Sequence, residues 1–371
     1  MVAIHQVLPV FAPRDAIGNH TVEIRRALHA RGITSEIIAG EINPGAAQGA
    51  RTVREIGRRR LPGDGPTWLL YHASTGSPVA EWFAERPEGK LIDYHNISPP
   101  DVFGAWEPHV GVELEHGRRQ LAELADITDW ALADSTFNQR ELNGLGYRRT
   151  AVVPILIDTA AFGHDVDAKT VTRLRRAKQT DGGADWLFVS RILPHKAHHD
   201  VIKAFAAYRR AYDPSARLHL IGAVGSARYA DALTDFVDDL DLSDSVVLAG
   251  SVSAGDLEAY FQVADVYVSL SDHEGFAVPL LEAMAHDLPV VAYSCAAVPE
   301  TAGTGALLLD DKPPTVVAAA VHRVLTDERL RRALVASGRE QLSAFALPRS
   351  VARLSAVIDD IIASFDGGAS K

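Results

Sequence analysis

Ser269-Leu-Ser-Asp-His-Glu274-Gly-Phe-Ala-Val-Pro-Leu-Leu-Glu282-Ala-Met-Ala-His-Asp-Leu-Pro-Val-Val-Ala292 reads as strand, loop, helix, strand. Pro279 suits a first helical turn, where a missing N–H costs no hydrogen bond. Gly275, Phe276, Ala277 and Val278 lead into that turn. Unpaired N–H groups and the helix dipole at such a start favour an anion, and a diphosphate fits. Glu274 falls in the loop and Glu282 inside the helix. Glu282 is then about a turn from the anion cradle, placed to accept hydrogen bonds from two ribose hydroxyls, and Glu274 faces whatever leaves the diphosphate. An early helical glutamate also serves merely to favour the dipole. The whole constellation, rather than either carboxylate, carries the chemical reading.

Outward from this segment, short apolar runs alternate with helical patterns, the signature of an α/β chain with parallel sheets. Strands are expected at 3–10, 34–39, 67–71, 90–94, 130–133 and 150–153, and again at 186–190, 217–221, 245–248, 266–270 and 289–292. A polar stretch from Ile157 to Asp185, ending in Thr180-Asp-Gly-Gly, separates the two series. Long helical patterns close the chain at 315–327, 328–341 and 349–364. In open α/β sheets ligands sit beyond the carboxyl ends of the strands, so chemistry is sought in the residues that follow each strand.

After the first strand of the second series comes Phe188-Val-Ser-Arg191-Ile-Leu-Pro-His-Lys196-Ala-His-His-Asp. Arg191 and Lys196 share one loop that enters a helix. Facing the glycine loop they would neutralise a departing diphosphate, the task that a Mg²⁺ performs elsewhere. On spacing alone, two solvated surface cations are the more ordinary reading.

The segment Glu274-Gly-Phe-Ala-Val-Pro-Leu-Leu-Glu282-Ala-Met with Leu288-Pro-Val-Val-Ala292 resembles the E-x7-E signature of retaining glycosyltransferases of family 4. The resemblance implies a GT-B fold: two Rossmann-like domains facing across a cleft, the first (1–165) binding an acceptor and the second (166–344) a nucleotide-sugar donor. It also implies that the last part of the chain (345–371) is a helix crossing back to domain one, and a tail. By resemblance Glu282 binds the donor ribose, Glu274 meets the transferred sugar, and Arg191 and Lys196 bind the diphosphate beside Gly275, Phe276, Ala277 and Val278. Gly222 lines the nucleotide pocket and the base lies near Gly250-Ser-Val252. In domain one, Gly18 is what remains of a glycine pair that approaches the donor phosphate. His95, after Leu91-Ile-Asp-Tyr, resembles a strand-end histidine near the sugar. Ser190, Ala197 and Asp287 stand where the family commonly has glycine.

The implied activity is retaining transfer of a hexose-type sugar from a UDP- or GDP-sugar to a hydroxyl on a sugar, a lipid-linked or a small-molecule acceptor, with no cofactor and no metal. A GT-B nucleotide-sugar epimerase, a phosphorylase using pyridoxal phosphate and a catalytically silent sugar-nucleotide-binding protein are the competing readings.

Bulk properties bound the rest. With 371 residues and a net charge of −11, general affinity for nucleic acid is not expected. One cysteine, Cys295, fits a reducing cytosol, and its apolar neighbours suit a buried thiol. No leader and no apolar run of membrane-spanning length is read, so a cytoplasmic location is expected. Arg51, Arg54, Arg58, Arg59 and Arg60 form a basic cluster that suits either a solvated face or a peripheral contact at the inner face of the membrane. His195 and His199 have helical i, i+4 spacing but lack the intervening glutamate of a zinc-protease helix. Asp165-Val-Asp167 and Asp239-Leu-Asp241 follow no apolar strand, so neither reads as a metal-binding Asp-x-Asp pair.

Overall fold

The computed structural model describes residues 2–12, 15–46 and 49–368. The chain divides into two compact units: 1–101 with 109–157 and 345–371, and 102–108 with 158–344. The division falls at 157/158 rather than near 165. The second unit also takes residues 102–108 out of the first stretch of chain.

The first unit holds a seven-stranded parallel sheet. Its strands are β1 (Ala3–Phe11), β2 (Ile37–Ile42), β3 (Ala50–Thr52), β4 (Thr67–Ala73), β5 (Gly89–Tyr94), β6 (Trp130–Ala133) and β7 (Thr150–Val152). They run in the order β3-β2-β1-β4-β5-β6-β7. The central strands are mostly apolar, as burial on both faces favours, but they also bury Gln6, His72 and Asp93. Ile4, Leu70, Leu91 and Leu132 pack with Ile24 and Leu28 of the helix Ala16–Ala30 and with Leu354, Ile358 and Ile361 of the terminal helix Leu347–Gly368. That helix therefore belongs to the first unit's core. Residues 369–371 of the expected tail lie outside the described residues.

The second unit holds a six-stranded parallel sheet. Its strands are β8 (Asp185–Val189), β9 (Arg217–Ile221), β10 (Val246–Gly250), β11 (Val266–Ser269), β12 (Val290–Tyr293) and β13 (Ala306–Leu309), in the order β10-β9-β8-β11-β12-β13. The chain winds outward one way from β8 and the other way from β11. The order thus reverses between these two neighbours, and the crevice beyond their carboxyl ends is the usual ligand position in such sheets. In the first unit the reversal falls between β1 and β4.

Two strands escaped the sequence reading. Ala50–Thr52 is a three-residue edge strand with a charge in its middle, and Ala306–Leu309 lacks the β-branched residues that mark strands. The helix Pro108–Leu124 was also missed, because Gly111 and Gly117 break its apparent propensity. Gly117 has a packing reason: a Cβ there would lie 2.4 Å from the Gly76 nitrogen.

Candidate functional site

The loops after β8 and β11 are tied to each other. Lys196 Nζ lies 2.8 Å from Glu274 Oε2, with the two side chains only 19% and 11% exposed. The Asp272 N–H donates to the His195 carbonyl at 2.8 Å. Lys196 ends a short 3₁₀ turn, Pro194–Lys196, and Ala197 takes φ +50 before the helix His198–Ala211 begins. A left-handed alanine is uncommon, and a glycine would occupy this position without strain. Arg191 is exposed on the same loop. Among the described residues no side chain pairs with its guanidinium.

The helix Val278–Ala285 starts from Ala277 at φ +72, with no side-chain cap and with Pro279 in its first turn. This is the uncapped start that the sequence suggested, and it stands in the crevice beside Lys196 and Glu274. Phe276 is buried, and Thr301 Oγ1 donates to its carbonyl. The Ala297 N–H donates to the Glu274 carbonyl at 3.1 Å. These bonds hold the loop from the side of β12.

Glu282 sits one turn into the helix, half-buried. Burial and the neighbouring Glu258 carboxylate push its pKa up to about 7. His286 lies on the next turn. Its Nδ1 stands 2.8 Å from the Glu282 carbonyl, and its Nε2 stands 2.7 Å from Glu258 Oε2. Glu258 also accepts from the Gly163 N–H at 2.7 Å.

Gly222 follows β9 and donates its N–H to the Gly250 carbonyl at the end of β10. A Cβ on Gly222 would fall 1.9 Å from the Ser190 carbonyl oxygen and 3.1 Å from the Arg191 nitrogen. Gly222 is therefore what lets the Arg191 loop pass. Val252, half-buried, lies two residues beyond Gly250.

Lys312 was not singled out by sequence. Its ammonium lies 2.8 Å from Asp200 Oδ2 and 2.6 Å from Asp272 Oδ1, and it accepts burial because both carboxylates raise its pKa. It braces the β11 loop against the start of the helix His198–Ala211. Its sequence setting, Asp310-Asp-Lys-Pro-Pro, reads as an ordinary charged turn. Cys295 donates to the Ser271 carbonyl, and burial pushes its thiol up to about 12, the inert state expected.

In the first unit, Gly18 gives its N–H to the carboxylate of Asp15, the helix cap, at 3.0 Å. That donor is spent locally. A Cβ at Gly18 would sit 2.8 Å from the Ala12 carbonyl oxygen, so the glycine is explained by chain packing. His95 is placed just after β5, as expected, but its side chain is 2% exposed. Its Nδ1 stands 3.0 Å from Asp134 Oδ2 and its Nε2 2.9 Å from His72 Nδ1. Neither ring nitrogen is left to meet a sugar.

The aspartates set aside in the sequence have local tasks. Asp167 caps the helix Ala168–Asp181 through the Thr170 N–H, and Asp241 stands at φ +54 after a helix end. His195, His198 and His199 form no ligand cluster among the described residues. Arg54, Arg58, Arg59 and Arg60 are exposed, whereas Arg51 faces Glu36 at 3.5 Å. Among the described residues no helix is long and apolar enough to cross a membrane.

This crevice can be compared with known proteins. Residues 172–341 match the family model of glycosyl transferases group 1. The matched span contains Arg191, Lys196, Glu274, Glu282 and Lys312 and covers most of the second unit. Over 247 residues, 62% of its length, the chain is 32% identical to a D-inositol 3-phosphate glycosyltransferase of Kineococcus radiotolerans, spanning 56% of that protein. Over 243 residues, again 62% of its length, it is 29% identical to a GDP-mannose-dependent alpha-(1-6)-phosphatidylinositol monomannoside mannosyltransferase of Mycobacterium tuberculosis, spanning 61% of it. The match thus spans less than two thirds of either relative. Among solved structures, a sucrose-phosphate synthase from Thermosynechococcus elongatus superposes with a TM-score of 0.76 at 18% identity, covering 98% of this chain and 100% of that one. The fold is GT-B, as the resemblance implied.

Proposed function

We propose that the chain is a glycosyltransferase that moves a hexose-type sugar from a nucleotide-diphosphate donor to a hydroxyl acceptor, with retention of configuration and with no metal at the diphosphate. The observation that carries this reading is the pairing of Lys196 with Glu274 where the sheet order of the second unit reverses, beside the uncapped start of the helix Val278–Ala285. Lys196, exposed Arg191 and the first-turn N–H groups supply fixed positive charge where a diphosphate leaves. That charge grows in the transition state, so the interaction raises the rate and not only the affinity.

In this reading Glu282 receives the ribose hydroxyls and the loops of Gly222 and Val252 flank the base. Glu274 holds Lys196 in place and faces the transferred sugar. The bond between the anomeric carbon and the diphosphate oxygen breaks. The acceptor oxygen bonds to the same face, and its proton passes to the departing phosphate oxygen. His95 and Gly18 take no part, since their polar atoms are committed within the first unit. Both named relatives act on inositol-bearing molecules, so an inositol or inositol-lipid hydroxyl is the first acceptor class to try. Arg54, Arg58, Arg59 and Arg60 are the proposed contact with anionic lipid, and cosedimentation with anionic against neutral vesicles tests it.

The test is a thermal-shift screen with UDP, GDP, ADP, TDP and CMP, followed by transfer assays with the donor it selects. One nucleoside diphosphate should stabilise the protein by the same increment with and without EDTA, since a ligand that binds only the folded state raises its stability. No increment with any nucleotide at millimolar concentration would overturn the reading. An inverted product by NMR would overturn retention alone.

A further inference from the structure

His72 on β4, Asp93 at the end of β5, His95 beyond it and His20 on the helix Ala16–Ala30 bring their ligand-type atoms within 4.8 Å of one another, all inside the first unit. Their side chains are between 0% and 2% exposed. Hydrogen bonds at the rim of this group fix where its protons are.

The Leu156 N–H donates to His20 Nδ1 at 2.7 Å, so the His20 proton is on Nε2, which donates to Asp93 Oδ2 at 2.9 Å. The Gln6 amide nitrogen donates to the Thr21 carbonyl at 2.9 Å. Gln6 Oε1 is therefore the acceptor facing His72 Nε2 at 3.1 Å, and that nitrogen carries the His72 proton. His95 Nδ1 faces both oxygens of Asp134, at 3.1 and 3.0 Å, and carries a proton as well.

What remains is His72 Nδ1 and His95 Nε2, 2.9 Å apart. Asp93 Oδ2 lies 3.5 Å from the first and 3.8 Å from the second. If both rings are neutral, both nitrogens present lone pairs to each other and to a carboxylate. Such an arrangement requires a cation in the middle. A proton on His95, held between Asp134 and Asp93, is one such cation, and a divalent metal ion is the other. Asp93 Oδ1, buried with no partner, is a further donor atom waiting to be used.

We propose that His72 Nδ1, His95 Nε2 and the Asp93 carboxylate bind one divalent first-row transition metal, of the zinc class, as a structural centre of the first unit. Two imidazoles and a carboxylate suit that class of ion. Bonds of about 2.0–2.1 Å to a tetrahedral zinc place neighbouring ligand atoms about 3.3 Å apart, and the three separations found straddle that value. Each ligand has the outer partner that metal sites use to set tautomer and orientation: Gln6 on His72, Asp134 on His95 and His20 on Asp93. The burial of the site makes it one that loads as the unit folds. All of its ligands belong to the first unit.

Metal analysis of the full chain, freed of any affinity tag and dialysed against EDTA, tests this. About one equivalent of metal per chain is expected, in the manner of structural sites formed on folding. It should be absent from Asp93→Asn and His72→Gln and kept by His199→Ala. Because the first two variants risk misfolding, the wild-type chain is also refolded in chelator and titrated with Co²⁺. A visible ligand-field absorption band that Zn²⁺ abolishes, together with a higher melting temperature, supports the site. Metal-free protein from zinc-supplemented cells with no Co²⁺ band on refolding would overturn it, as would metal lost in His199→Ala. So would ¹⁵N NMR of the metal-replete sample showing His95 doubly protonated.

Discussion

Lys196 and Glu274, seventy-eight residues apart in sequence, meet at 2.8 Å across the loops of two adjacent parallel strands. Neither side chain is in open solvent, and both belong to segments that end in left-handed alanines, Ala197 at φ +50 and Ala277 at φ +72. Backbone held in a sparsely populated region at a charged crevice is the kind of strain that functional sites retain.

Lys196→Ala should lower turnover on the order of 100-fold, by comparison with removal of one donor to a developing anion. Initial rates with the donor chosen by the nucleotide screen measure it. Binding of the nucleoside diphosphate should weaken far less than turnover falls. A rate near that of the wild type would take Lys196 out of the mechanism.

Glu282 gives a pH signature. Its folded pKa, raised by burial and by Glu258 to about 7, lies above the ordinary glutamate value near 4.5. The folded state therefore holds a proton that the unfolded state releases between those values. Stability from this group is fully present below about pH 4.5 and is lost as pH rises through about 7. Glu282→Gln should match the wild type at pH 5 and melt several degrees higher at pH 8, while binding nucleotide more weakly. Equal melting temperatures at pH 8 would show that Glu282 ionises at no cost.

Gly222→Ala should destabilise the second unit by about 3 kcal/mol or more, because the new methyl meets backbone rather than a movable side chain. The contact is the Ser190 carbonyl oxygen, 1.9 Å from the position of the Cβ, at a residue with φ +149. Chemical denaturation reads this directly. The same replacement at Gly144, where nothing lies within 4 Å, should change stability little.

Leu354→Ala should cost about 2–5 kcal/mol, the usual range for a buried leucine that leaves a cavity. The residue is 1% exposed and packs with Ile4, Leu70 and Leu132. The loss should appear in the unfolding of the first unit and leave the nucleotide-induced shift of the second intact, which separate tryptophan and ligand readouts resolve.

Much of the architecture was legible because parallel strands buried on both faces are mostly apolar runs. Trp130–Ala133 and Arg217–Ile221 coincide with the expected strands. Strands β3 and β13 were not: Ala50–Thr52 is only three residues long with Arg51 in its middle, and Ala306–Leu309, though apolar, has no β-branched residue. The crevice of the second unit was legible through loop chemistry confined to two segments, 188–200 and 269–292. Lys312 was hidden because its partners Asp200 and Asp272 lie 112 and 40 positions away in sequence. The histidine group of the first unit was hidden for the same reason. His20, His72 and His95 look like unrelated single histidines until β4 and β5 lie side by side and the helix Ala16–Ala30 packs on them. His95 was read as a residue facing a ligand, and the sheet instead turns it inward, between His72 and Asp134.

The terminal helix also sets an order of events during synthesis. The first unit cannot close the core around Ile4, Leu70 and Leu132 until residues 354–361 exist, and the whole of 158–344 is made before them. On a growing chain the second unit is thus the one able to finish first, although it is encoded later. Until then the opening strands wait with an uncovered apolar face, which is where a chaperone would be expected to act. For the same reason a proteolytic cut near residue 157 would not release a self-sufficient amino-terminal half.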